Sequence, residues 1–214
     1  MSSVHSHFFS ATSVDTVEPM LTTPEEDAYL SVQFSARSLS KRKDNKKQLL
    51  QELAKDKADL KKPLVILLPG LFTVKKDRTL LEDLMPGLQK LNATILILAS
   101  NKSCNQDMLQ WCTQLEANEK NIHQALAAGD IVITPPNGDQ SFTQSCLGYG
   151  IVPVAPVANG VQDYDPIWES GNGFIYQDYS VWSVFAAIVR ALETFKLPYD
   201  WQRIQKNGME GLEK

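Results

Sequence analysis

"DIVITPPNGDQSFTQSCLGYGIVPVA", residues 130–155, is the stretch that decides the fold. An apolar run, Ile131 to Ile133, is stopped by the pair Pro135 and Pro136. A loop of Asn137, Gly138, Asp139 and Gln140 follows, then a segment of helical length, then a second apolar run from Ile151. The order is strand, loop, helix, strand. In parallel units of this kind the loop after the first strand often holds the ligand.

The same alternation extends in both directions. "KPLVILLPG" and "ATILILAS" upstream, and "GNGFIY" downstream, read as short buried strands bounded by Pro, Gly and Asn. "DRTLLEDLMPGLQKL" reads as an amphipathic helix with Asp77 as its cap. "NQDMLQWCTQLEANEKNIHQALAAG" gives helical segments with polar interruptions. "SVWSVFAAIVRALETFK" is a strongly apolar helix, and "YDWQRIQKNGME" is a last helix ending near Asn207 and Gly208. Apolar strands alternating with helices predict an α/β fold: a single Rossmann-like, doubly wound parallel sheet covered on both faces.

Ahead of this unit the pattern differs. Residues 1–24 are expected to form an irregular N-terminal arm, and 25–62 a linker with a basic helix. Residues 63–214 are expected to form the Rossmann-like domain. Between Lys41 and Lys62 stand nine Lys/Arg against four Asp/Glu. Leu49, Leu50 and Leu53 share one face at helical spacing, which predicts a helix over 44–55. Its basic surplus either attracts phosphate or an acidic polymer, or is a solvated face.

Composition narrows the class. The chain has 214 residues, 43% hydrophobic and 21% charged, enough apolar content for a core. A net charge of -4 gives no reason to expect nucleic acid. Cys104, Cys112 and Cys146 have no CxxC spacing, so they read as reduced thiols in a cytoplasmic protein without a metal site. No stretch has the apolar length of a membrane span, and the Ser-rich start lacks the basic and apolar regions of a secretory signal.

Chemistry is sought in the loops at the carboxyl ends of the strands. In the first, residues 68–78, Lys75 and Lys76 precede a helix, where backbone N–H groups and a lysine suit a phosphate. There is neither GxGxxG nor GxxxxGK[ST]. The second loop, 134–145, offers one carboxylate, Asp139, with Asn137, Gln140, Ser141, Thr143 and Gln144 as hydrogen-bonding groups for sugar hydroxyls or phosphate. The third, 157–166, carries Asn159 and Gly160, which permit close backbone approach, and Asp163. No Ser-His-Asp grouping is visible. His123 reads as a packed helix residue, and His5 and His7 as part of the arm.

The order of these pieces resembles the C-terminal half of bacterial glycogen synthases and plant starch synthases. "NEKNIHQALAAGDIVITPP" is similar to the family's Glu-x-x-x-His-x-x-x-Ala-x-x-Asp block, with Glu119, His123, Ala127 and Asp130 in register. "GYGIVPVAPVANGVQD" is similar to Tyr-Gly-Thr-x-Pro followed by Thr-Gly-Gly-Leu-x-Asp. "PLVILLPGLFTVKK" is similar to the strand ending in Ser-Arg-Leu-Thr-x-Gln-Lys-Gly. The stretch from "GNGFIYQDYSVWSVF" to "IQKNGM" matches most closely. The resemblance implies the C-terminal half of a GT-B glycosyltransferase, a retaining hexosyltransferase that moves glucose from ADP-glucose to an α-1,4-glucan without a metal or other cofactor.

The departures qualify that implication. On the resemblance, the donor-binding positions are Gly70, Thr73, Lys75, Asp139, Gln140, Ser141, Thr143, Asn159 and Gly160. Lys75 falls on the family's diphosphate lysine, but Gly70 stands where the family has arginine. Asp139 is nearest to the family's glutamate and is one methylene shorter; no catalytic residue is assigned with it. The tyrosine that packs on adenine falls near Ala117. A charge-assisted hydrogen bond contributes roughly 1.5–3 kcal/mol, and stacking on an aromatic about 1–3 kcal/mol. Losing both weakens binding on the order of a hundred- to ten-thousand-fold. The family's first domain, with its Lys-x-Gly-Gly loop, has no counterpart in this sequence. The expectation is a domain weak or inactive as a lone chain. It acts either as half of a split glucosyltransferase with a separate N-terminal synthase domain, or as a non-catalytic module, a pseudoenzyme, that binds ADP-glucose, glucan or a complete synthase.

Overall fold

A computed structural model describes residues 22–53, 60–68, 72, 74–99, 110–135, 140–157 and 160–211. Its sheet has six strands: β1 (Leu64–Leu67), β2 (Thr94–Leu98), β3 (Thr113–Leu115), β4 (Ile131–Ile133), β5 (Val152–Pro156) and β6 (Phe174–Tyr176). Their spatial order is β3-β2-β1-β4-β5-β6. Every pairing is parallel, with Leu64 opposite Thr94, Val65 opposite Ile131, Ile133 opposite Val154, and Val154 opposite Phe174. Successive strand residues point to opposite faces. All four residues of β1 and all five of β5 are buried, so both faces of the central sheet are covered. That is why these strands read as unbroken apolar runs rather than as alternating ones.

The helices are α1 (Arg42–Glu52), α2 (Lys75–Leu88), α3 (Glu119–Ala128), α4 (Gln140–Gly148), α5 (Val181–Phe195) and α6 (Pro198–Glu210). A 3-10 turn, Ala36–Lys41, leads into α1. Within the described residues α2 packs on α5, α1 on α3, and α4 on α6. The α2–α5 contact depends on Gly87: a β-carbon there would stand 2.8 Å from Phe185 Cε2. Ser180 caps α5 by accepting from Ser183 N, and Asn118 caps α3 by accepting from Asn121 N.

Four expectations are corrected. Asp77 does not cap α2. The helix begins two residues earlier with Val74 at the cap, and Asp77 is a buried first-turn residue. The stretch read as helical segments with polar interruptions, residues 105–129, contains an edge strand, β3, before α3 begins. The last helix continues past Gly208 to Glu210. The basic helix starts at Arg42, and it is not simply a solvated face, because Arg42 and Lys46 are buried in it.

Those two cations fasten α1 to the sheet. Lys46 Nζ donates to Asp130 Oδ2 at 2.7 Å, to Lys62 O at 2.6 Å and to Leu60 O at 3.2 Å. The same Asp130 oxygen accepts from Leu64 N at 2.7 Å, so one carboxylate joins α1 to the starts of β1 and β4. Arg42 donates to the carbonyls of Leu126 and Gly129 at the end of α3. His123 is packed, as its sequence context suggested: its Nδ1 lies 2.7 Å from Asp27 Oδ2, which also accepts from Tyr149 Oη at 2.7 Å. This buried cluster ties residues 22–35 to α3 and to the end of α4. Cys112 and Cys146 are buried and in no disulfide among the described residues, and burial pushes the Cys146 thiol well above its usual range. No described helix is long and apolar enough to cross a membrane.

Candidate functional site

The strand order reverses around β1, whose neighbours are β2 on one side and β4 on the other. Such a switch point opens a crevice beyond the carboxyl ends of the strands, where open α/β sheets bind ligands. The connection from β1 to α2 and the connection from β4 to α4 flank that crevice. These are the first two loops singled out in the sequence.

On the β1 side, Lys75 is the first residue of α2 and its side chain is exposed. Among the described residues no side chain caps this helix, so the positive end of its dipole faces the crevice mouth. Lys76 is exposed and lies over the Tyr179 ring, 4.3 Å from its centroid. Tyr179 Oη donates to Asp77 Oδ1. That contact binds the first turn of α2 to the loop between β6 and α5. Burial, then the Asp77 bond, raises the Tyr179 phenol well above its usual range, so it stays a donor. Gly70 and Thr73 lie outside the described residues.

On the β4 side, Asp139 and Asn137 lie outside the described residues, as does Asn159. Gln140 opens α4 and is exposed, Ser141 is half-buried, and Gln144 is exposed. Thr143 differs from them in being fully buried, 0% exposed. Gly160 has φ +71°, and a β-carbon there would come 3.2 Å from Gln140 Nε2. The fold therefore brings Gln140 and Gly160 together at the mouth. Asp163 is occupied structurally: Oδ1 accepts from Ile175 N at 2.8 Å, and Oδ2 pairs with Arg190 at 2.7 Å. Tyr176 Oη donates to Thr134 O at 2.8 Å, which fixes β6 against the end of β4.

Ala117 lies just beyond β3, half-buried, with its N–H bonded to Ala99 O at 3.3 Å. It offers no ring for a base to stack on. Sequence reasoning missed the apolar rim. Val74 ahead of α2, Val157 after β5 and Trp182 in the first turn of α5 all sit at the carboxyl ends of the strands, and Trp182 is 81% exposed. "SVWSVF" carried the signal, since Trp182 falls off the apolar face of α5. The arrangement places a lysine, the first N–H groups of α2 and an amide side chain at one end of the sheet. Among the described residues it holds no paired nucleophile and base. Nor do they group three or more His, Cys, Asp or Glu side chains as a metal site would.

No family model matches the chain. It is 26% identical over 202 residues to the glycogen synthase of Koribacter versatilis, covering 87% of this chain and 41% of that protein. It is 24% identical over 217 residues to that of Bacillus anthracis (92% and 44%), and 24% over 209 residues to glycogen synthase 1 of Synechocystis (90% and 43%). The chain thus spans about two-fifths of the length of these relatives, matching their C-terminal part. The catalytic domain of starch synthase IV from Arabidopsis thaliana, solved with ADP and acarbose, superposes with a TM-score of 0.72 at 22% identity. That match covers 87% of this chain and 42% of the other. The fold is the expected one, and the chain is similar to the C-terminal part of glycogen synthases.

Proposed function

We propose that this synthase-like domain is the donor half of a glucosyltransferase. It holds ADP-glucose at the β1–β4 switch point, and a second domain, on the same chain or another, completes the cleft and brings the α-glucan acceptor. The single observation that carries this reading is the convergence at the crevice mouth. There Lys75 opens α2 beyond β1, with no side-chain cap among the described residues, and Gln140 beyond β4 lies against Gly160 beyond β5, all at the carboxyl ends of the strands. The diphosphate goes to Lys75 and the α2 amides, and the sugar to the loop holding Asp139, Gln140 and Ser141. The neighbour solved with ADP and acarbose, which shares this fold, supports both ligand classes.

Turnover by the domain alone is not expected. Half a cleft neither excludes water nor orients the acceptor. Gly70 and Ala117 remove a charge and a ring that the family uses, so the donor binds weakly. Titration with ADP-glucose and with ADP, native chain against Lys75→Ala, tests the reading.

The exposed rim of Val74, Val157 and Trp182 favours a second reading, a non-catalytic module that docks on a synthase through this face. The two differ in outcome. A donor half gains glucan elongation when an N-terminal synthase domain is added, and a docking module binds without turnover.

A further inference from the structure

Asp77 is a carboxylate in an uncommon setting. It is the third residue of α2 and 1% exposed. Tyr179 Oη donates to its Oδ1, while Oδ2 is buried with no hydrogen-bond partner among the described residues. Among those residues it forms no ion pair either. The cations beside it in the turn are turned elsewhere. Lys76 lies over the Tyr179 ring, and Arg78 Nε donates to Phe72 O at 3.1 Å. Proteins seldom bury a carboxylate without a cation. What balances this charge is the positive end of α2, in whose first turn it stands.

That end of the helix is the one at the switch-point crevice. The Asp77 charge is felt across the crevice too. Tyr176 Oη donates to Thr134 O at the end of β4. Its phenol is held well above the usual range by burial first, then by Tyr179, then by Asp77. One fixed negative charge therefore acts on both the first turn of α2 and the end of β4.

We propose that Asp77 is a specificity-determining residue of the donor site, which makes it hold the intact nucleotide sugar in preference to the free nucleoside diphosphate. The inference rests on the donor reading above. An anion entering at α2 shares the positive end of the helix with Asp77, and the repulsion grows with the anion's charge. In a nucleoside diphosphate sugar each phosphate carries about one negative charge. Freed of the sugar, the terminal phosphate ionises a second time with a pKa of about 6. Lys75, the exposed cation of the turn, supplies the attraction, and Asp77 sets how much charge that attraction tolerates. Tyr179 moderates the effect, because its hydroxyl bond to Oδ1 is charge-assisted and offsets part of the carboxylate's field.

The test is calorimetric titration of the full chain at about pH 8, where the terminal phosphate of ADP is fully ionised. Native chain and Asp77→Asn are each titrated with ADP and with ADP-glucose. The amide keeps an oxygen to accept from Tyr179 and removes only the charge. Asp77→Asn should tighten ADP roughly tenfold and ADP-glucose roughly threefold, so the ratio of the two dissociation constants moves about threefold toward ADP. Tyr179→Phe keeps the ring under Lys76 and removes the hydroxyl. It should move the ratio the other way, and adding Asp77→Asn should cancel that shift. A change of packing alone would alter both ligands equally and leave the ratio fixed. Binding of both ligands with a ratio that Asp77→Asn leaves unchanged overturns this inference and lets the donor reading stand. Should Asp77→Asn fail to fold, an unchanged ratio in Tyr179→Phe overturns it in the same way. A native chain that binds neither ligand up to about 10 mM overturns the donor reading and this inference with it.

Discussion

Lys46 Nζ stands 2.7 Å from Asp130 Oδ2, and through that contact the basic helix is bolted to the starts of β1 and β4. Both side chains are about nine-tenths buried. Removing one partner of a buried ion pair leaves the other desolvated and uncompensated, typically at about 3–5 kcal/mol. Lys46→Met is therefore expected to lower the stability of the chain by roughly 3 kcal/mol, measured by urea unfolding. Asp130 also keeps the Leu64 N–H bond, so the double variant Lys46→Met with Asp130→Asn should recover part of the loss. A Lys46→Met chain as stable as the native one would show that the pair contributes nothing.

Gly87 lets α2 and α5 approach closely. A side chain there meets Phe185 at 2.8 Å. Overpacking of this kind costs typically 1–3 kcal/mol. Gly87→Val should be destabilised by about 2 kcal/mol, and adding Phe185→Ala should reverse part of it. Additive effects of the two substitutions in thermal unfolding would rule out the contact as the cause.

Alkaline pH should expose the buried tyrosines. Burial, the dominant cause, raises the phenols of Tyr149 and Tyr176 far above the ordinary 10.0. Between pH 10 and the folded-state values, the unfolded chain has released these protons and the folded chain has not. The unfolded state then binds fewer protons, so stability falls as pH rises, by up to about 1.4 kcal/mol per unit for each group. Below pH 10 both states are protonated and the effect vanishes. Unfolding midpoints taken across the alkaline range should decline from near pH 10, and Tyr176→Phe should flatten the decline. A flat profile would contradict the assignment.

Much of the sheet was legible because fully buried strands are short apolar runs bounded by Pro, Gly and Asn. That describes β1, β2, β4 and β5. It fails for β3, where Thr113, Gln114 and Leu115 are half-buried at the sheet edge, with neither an apolar run nor alternation. Asp77 looked like a helix cap because aspartate favours caps. Tertiary contact with Tyr179 instead places it inside the first turn. Charge alone could not separate Arg42 and Lys46 from their solvated neighbours, since burial depends on Asp130, 84 residues from Lys46 in the chain. In the candidate site, the order of strands and loops placed Lys75, Gln140 and Gly160 at one end of the sheet.

The proposed donor site can be strengthened with groups that the resemblance to glycogen and starch synthases suggests. Ala117→Tyr puts a ring beyond β3 as a platform for the base, and Gly70→Arg adds a cation for the diphosphate. Each should tighten ADP-glucose binding by roughly tenfold. ADP should gain from both, and glucose 1-phosphate, which has no base, should gain nothing from Ala117→Tyr. Equal gains for both ligands would mean that the ring does not meet the base.

The most direct test of the donor-half account is calorimetric titration of the chain with ADP-glucose, repeated on Lys75→Ala. The account predicts saturable binding with Kd on the order of 0.1–1 mM, weakened roughly tenfold in the variant. No heat of binding up to about 10 mM, or an affinity that Lys75→Ala leaves unchanged, would contradict it.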